Sequence, residues 1–352
     1  MKTWAVGPIG IALTLALLLG SVADRSGAMW LAARALGFAA CMVLGWRAGA
    51  QLIYGLAGAF VLLALFGSRA LDLSLACLAF TLLRLRLSHW AGLLAAIGLA
   101  GSLSFAYAQL QPGWAPLLLP FHNRNHYAVF CELALPVFFY AARRSRGRLY
   151  WAAIAILYLT ALAAGSRMGA VLLSLEVCAL WVATQGREKL WLAIPGLGIV
   201  ASLFLFLVGR ERLQNPLTGD HRLEIWNSSW QMVAAHPFVG WGLQEFTRIY
   251  PAYASFDNGE FVNAAHCDWL EWAVEMGVPF VAVCLFAFMG WLRKTIHFYP
   301  SWGILVGALH ATVDYPFHLP GILVFAAALA GSIEANGTRL ETQPTDRKRR
   351  NS

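Results

Sequence analysis

The sequence predicts an all-α, polytopic integral membrane protein of about twelve transmembrane helices with one large external loop. Three observations predict it. Hydrophobic residues make up 59% of the 352 positions. Charged residues are only 12%, about half the share of a soluble domain. The apolar residues gather into runs near the roughly 20 residues that cross a bilayer, and one long polar stretch interrupts them. This composition excludes a soluble globular enzyme and a disordered chain. The net charge of +8 is spread in small groups instead of one basic stripe, which argues against nucleic-acid binding.

In order, the expected spans are residues 4–22, 29–46, 52–66, 71–83 and 90–110. After a polar loop come 127–142, 149–164, 170–183 and 190–208. The long polar segment 209–276 follows, and 278–292, 301–313 and 319–333 complete the set. The runs at 71–83 and 301–313 are short for a bilayer. Residues 1–333 thus read as one transmembrane domain, and 334–352 as a polar tail ending Arg347-Lys348-Arg349-Arg350. Lys2, the first apolar run and Ser21-Val22-Ala23 also fit a signal peptide, but the length of the run and the spans behind it favour a retained helix.

Orientation follows from the excess of basic residues on cytoplasmic loops. With both termini inside, 17 of the 26 Lys and Arg residues fall on inside segments, 8 on outside segments and one, Arg34, within a span. The external arginines oppose this trend and need another reason to be there. The six cysteines include no C-x-x-C pair, and five of them lie in apolar runs, so neither a disulfide framework nor a zinc site is expected.

The unusual polar residues collect at four external places. The first is Phe121-His122-Asn123-Arg124-Asn125-His126, at the entrance of the sixth span. The asparagines suit either helix capping or substrate contact; His122 and His126 have i, i+4 spacing but no third metal ligand nearby. The second is the turn Gly165-Ser166-Arg167, whose arginine either snorkels to the interface or grips an anion with its bidentate fork. The third is the long loop. It opens with Arg210, and Asp220 is placed to cap a helix carrying Arg222 and Trp226, with Leu223, Trp226, Trp230 and Val233 at helical spacing.

The fourth is the stretch from Asn263 to Gly277, read as one helix with Asn263 as N-cap, His266 in its first turn, and Asp268, Glu271 and Glu275 on one face. That face is either solvated or, at Glu275, paired near the interface. Beyond it His310 and Asp314 lie at i, i+4, a spacing that suits a His–Asp pair or a structural hydrogen bond. The sequence has no H-E-x-x-H, G-x-S-x-G or P-loop. An external site also has no cytosolic nucleotide, so a group transfer there needs a lipid-borne donor.

The ordered set Phe121 to Asn125, Gly165-Ser166-Arg167, Arg222-x-x-x-Trp226, His236-Pro237-x-x-Gly240-x-Gly242, Asn263-x-x-His266, Glu275-x-Gly277 and His310-x-x-x-Asp314-x-Pro316 resembles the O-antigen ligase and O-antigen polymerase superfamily. The resemblance covers roughly residues 111–333. It implies a multi-pass bacterial inner-membrane glycosyltransferase of lipopolysaccharide biosynthesis, with the long loop and active site periplasmic and both termini cytoplasmic. It implies transfer of a glycan from undecaprenyl pyrophosphate to an acceptor, without metal or cofactor and with inversion. The acceptor is lipid A–core for a ligase and another lipid-linked repeat for a polymerase.

By the same resemblance Arg167 and Arg222 bind the pyrophosphate and His266 activates the acceptor hydroxyl. Asn123, Arg124, Asn125, Arg210, Glu275, His310 and Asp314 contact substrate. Cys267 stands where many members carry asparagine. A transporter or channel for an anionic solute is the alternative, although the polar set lies at one face and no repeat is visible.

Overall fold

The computed structural model of the protein describes residues 72–73, 76, 79–80, 87–110, 121, 123–145, 148–185, 221–256 and 261–342. The expected spans at 4–22, 29–46, 52–66 and 190–208, together with Arg210, Asp220 and His122, lie outside them. The described elements are helical. They comprise α1 (Leu87–Gln109), α2 (Arg124–Ser145), α3 (Arg148–Ala163), α4 (Arg167–Gln185), α5 (Arg222–Ala235), the short α6 (Phe246–Ile249), α7 (Asp268–Met276), α8 (Val278–Thr295), α9 (Trp302–His310) and α10 (Pro320–Thr342). Four of these, α1, α4, α8 and α10, are long and apolar enough to cross a membrane.

Helix α2 is the hub. It packs against α1, α3, α4 and α9, and nearly every residue from Tyr127 to Phe139 is fully buried. Such a helix is apolar all round because no side of it meets solvent. By contrast α8 leaves Val283, Leu285, Phe286 and Met289 exposed, as a helix facing lipid does. Helix α10 continues to Thr342, past the expected end of its span at residue 333. Glu334 on this extension lies 3.9 Å from Lys294 of α8.

Glycine sets two approaches that matter for the site. A side chain at Gly303 of α9 would meet the backbone oxygen of Glu132 at 2.5 Å. Pro136, one turn on in α2, removes the N–H that this oxygen would otherwise accept. The two helices therefore touch backbone to backbone. Gly307 lies against Leu133 and Val129, and His310 is the next residue on the same face. Replacing Gly303 with leucine is expected to destabilise the protein by about 1–3 kcal/mol, since nothing softer than backbone can give way. Thermal unfolding in detergent, compared with Gly290→Leu in open surroundings, checks this.

At one end of the bundle lies a second apolar cluster, formed by Ile225, Met232, Val233, Phe246, Tyr250, Leu270 and Val274. Here α5 and α7 pack together, and the turn after α5 is stitched to the end of α7. Trp241 and Gly242 donate their N–H groups to the Val274 and Glu275 carbonyls, and Val278 donates to Pro237. Gly240 and Gly277 both have positive φ, 66° and 84°. Each also faces backbone where a Cβ would sit, so the spacing His236-Pro237-x-x-Gly240 and Glu275-x-Gly277 is a packing requirement.

Helix α7 starts later than the sequence reading has it. Asn263 is not its N-cap; the helix begins at Asp268, after an extended Cys267. The N–H of Asp268 goes instead to the carbonyls of Ala311 and Asp314, and Ala265 donates to the Glu271 carboxylate at 2.8 Å. Those bonds hold 264–267 as a loop, and His266 sits in it with φ 52°.

Candidate functional site

Two helices that carry expected site residues start side by side. Asn123 caps α2 by accepting the Asn125 N–H at 2.8 Å, so Arg124 is the first residue of that helix. The turn at Gly165, with φ 79°, ends α3, and Ser166 caps α4 by accepting the Gly169 N–H. Arg167 is therefore the first residue of α4. A Cβ at Gly169 would collide with that of Ala128, so the two helix starts are in close contact.

Helix α5 covers this end. Its His221 cap has left-handed φ, its Arg222 donates to the Val313 carbonyl, and Trp226 donates to the Ala265 carbonyl at 2.9 Å. Together these residues enclose a cavity of about 200 Å³ lined by Arg124, Asn125, Arg167, Arg222, Trp226, His310 and Asp314, among others. Three arginines and two helix N-termini surround one small space that also holds Asp314, an arrangement that favours an anionic ligand. Residues from 124 to 314 meet here, which linear spacing does not reveal.

Trp226 also lines a second, mostly apolar groove of about 290 Å³. Its other walls include Trp230, Trp269, Leu270, Val278 and Val281, at the first turn of α8. The cationic cavity and the apolar groove thus share one wall.

The histidines are arranged differently from the i, i+4 reading. Helix α9 ends at His310, so Asp314 falls beyond it, and its Oδ1 accepts the Tyr315 N–H at 2.9 Å. The partner of His310 is Glu132, whose Oε1 lies 2.7 Å from Nδ1. Both are buried. His266 and His126 both pack edge-on with the Tyr315 ring, at centroid distances of 5.2 and 5.5 Å. His266 is outside the cavity lining but within electrostatic reach of His126, as are His310 and Asp314. Its left-handed backbone is uncommon for a non-glycine residue and is the kind of strain that gathers at functional sites. Tyr315 stays a neutral phenol: burial, followed by the charges of Asp314 and Glu271, pushes it up. Burial also pushes the Cys267 thiol up, which leaves it a poor nucleophile.

The acidic face of α7 is not solvated. Asp268, Glu271 and Glu275 are all buried. Asp268 accepts the N–H groups of Phe317 and His318 and pairs with the His318 ring, whose Nε2 is 3.1 Å from Glu271. Glu275 accepts the Gln244 N–H at 3.0 Å and is outside the cavity lining. These carboxylates therefore tie the loops at 242–245, 264–267 and 316–318 to one helix. Glu271, Glu275 and His318 bring ligand atoms within 4.8 Å of one another, so a cation is a direct alternative to test there.

Fold and site together define a multi-pass helical membrane protein with a cationic cavity at one end of its bundle. The O-antigen ligase family model matches residues 152–286, a stretch that contains Arg167, Arg222, His266 and Glu275. Over that stretch, somewhat more than a third of its length, the chain is similar to O-antigen ligases, and the likeness supports glycan transfer in general. No curated protein matches it.

Proposed function

We propose that the protein transfers a glycan from undecaprenyl pyrophosphate to an acceptor hydroxyl at the periplasmic face, as a ligase onto lipid A–core or as a polymerase onto another lipid-linked repeat. The observation that carries this is the shared wall at Trp226: a cationic cavity sized for a pyrophosphate opens beside an apolar groove suited to its lipid chain. The uneven distribution of basic residues supports the orientation. Arg143, Arg144, Arg148, Arg293 and Lys294 lie at the ends of α2, α3 and α8 away from the cavity. About twelve spans, with the loop 209–276 periplasmic and the tail cytoplasmic, remain part of this proposal.

Arg167 and Arg222, with Arg124, hold the pyrophosphate oxygens, and Asn125 and Asp314 line the same space. In the transfer the acceptor O–H bond breaks, its electron pair forms the new bond to the anomeric carbon, and His266 takes the proton. The bond from that carbon to pyrophosphate breaks, and its electrons leave on phosphate oxygens stabilised by the arginines. Attack from the opposite side inverts the centre. Arg210 is a further substrate contact in this reading, while Asn123 sets the start of α2 and Glu275 fixes the loop after α5.

Purified protein in liposomes, given a lipid-pyrophosphate glycan, should form the transferred product. It should do so equally in excess EDTA, because arginine in place of a metal stabilises the leaving group. Loss of product in EDTA with rescue by a divalent ion would make Glu271, Glu275 and His318 ligands. Flux of an anion with no glycan product would instead favour the transporter.

A further inference from the structure

Two glutamates lie deep in the apolar bundle, and the transfer chemistry above does not use them. Glu132 of α2 is eight residues from Arg124, and Glu176 of α4 is nine from Arg167. At 1.5 Å per residue both sit roughly 12–14 Å below the arginine layer, close to half of a bilayer's apolar thickness. Both are buried. Helices α2 and α4 pack together, the charge of Glu132 acts on Glu176 across that contact, and Cys131 lies within reach of both carboxyls. Glu132 Oε2 and both oxygens of Glu176 have no hydrogen-bond partner among the described residues. His310, which lines the cationic cavity, has its Nδ1 on Glu132 Oε1 at 2.7 Å.

Two buried carboxylates with a single histidine between them and the cavity are costly to keep both ionised at this depth, so the pair favours a cation, and the smallest is a proton. We propose that Glu132 and Glu176 form an intramembrane proton-binding site, holding one proton at rest and a second when loaded, and that His310 is its route to the cavity. Glu176 carries the resting proton because no cation faces it among the described residues, whereas Glu132 faces His310. The second proton enters as His310 accepts one on Nε2 and passes its Nδ1 proton to Glu132 Oε1; no bond other than those to hydrogen changes. The groups around the route are Asp314, Arg222 and His126 beside His310, and Cys131 beside both carboxyls. The proposal deepens the glycan-transfer reading and rests on it in one respect: each transfer releases a proton next to the cavity.

The test is infrared spectroscopy of the purified full-length protein in lipid nanodiscs, where a protonated carboxyl is separated from carboxylates by its C=O stretch. Wild type should show a buried protonated-carboxyl band at neutral pH that Glu176→Gln removes. A second band should grow on acidification and be missing from Glu132→Gln. Transfer to D2O should shift the bands more slowly in His310→Ala than in wild type. If either glutamine variant fails to fold, the wild-type protein still decides: the neutral-pH band must be present and must not change when sodium replaces a bulky organic cation. Absence of the band, or its loss on adding sodium, overturns the proton in favour of a metal cation. Unchanged exchange in His310→Ala overturns the route. The spectra need no donor or acceptor, so failure of glycan transfer leaves this result standing, and a missing band leaves glycan transfer untouched.

Discussion

Replacing Arg222 with alanine is expected to lower glycan transfer by about 10²-fold or more, by analogy with removal of one donor from an oxyanion site. The same is expected at Arg167. Both side chains line one cavity. External arginines oppose the positive-inside trend, and a bound anion gives them a reason to be there. Lysine should not rescue either position. Its ammonium keeps the charge but cannot grip two oxygens at once. At Arg222 lysine also loses the fork that lets the guanidinium donate to the Val313 carbonyl while facing the cavity. Initial rates at saturating donor and acceptor, with folding checked by size exclusion, measure the effect. Near-normal rates in Arg222→Lys would mean that charge alone is needed.

His266→Ala should abolish transfer to within the background while leaving donor binding intact. A base acts on the acceptor, and this ring is outside the cavity that surrounds the arginines. A general base typically contributes about 10²–10⁴-fold, so the deficit should fall in that range. A variant that transfers normally would shift the role to His310. The buried Glu132 carboxylate orients that ring and raises its basicity, much as a carboxylate does in a catalytic triad. Glu132→Gln, which removes that carboxylate from His310, tests this role directly.

The helices were largely legible in the sequence. Among the described residues, the expected spans at 127–142, 149–164, 170–183, 278–292 and 319–333 match observed helices to within one residue where they overrun them, because a bilayer-length apolar run has few other solutions. The residues that converge on the cavity were legible only in part. Arg167 and Arg222 stood out as external arginines, and the structure brings them together with Arg124, Asn125, His310 and Asp314. Asn123 and Glu275 lie outside the lining, where Asn123 caps α2 and Glu275 accepts the Gln244 N–H.

The misreadings share a cause. Asn263 to Gly277 looks like one helix, but hydrogen bonds from Ala265 and to Ala311, made across the fold, hold its first part as a loop. The sequence leaves the face of Asp268, Glu271 and Glu275 open between solvated and paired, and the structure partners it with the backbone N–H groups of Phe317, Ala265 and Gln244. His310 and Asp314 look paired because four residues make one helical turn, yet α9 stops at His310. Glu132, its partner, is 178 residues earlier. A signal was present: Glu132 and Glu176 are lone acids inside apolar runs, and an ionisable residue at that depth marks a function by default.

The central claim is that the arginine cavity holds the donor's pyrophosphate. Binding of undecaprenyl pyrophosphate to nanodisc-embedded protein tests it most directly, with wild type, Arg167→Ala, Arg222→Ala and His266→Ala measured side by side. Hydrogen bonds to a charged group contribute about 1.5–3 kcal/mol, so each arginine variant should bind roughly 10- to 100-fold more weakly, while His266→Ala should match wild type. Equal binding by all four proteins would contradict the account and place the pyrophosphate elsewhere.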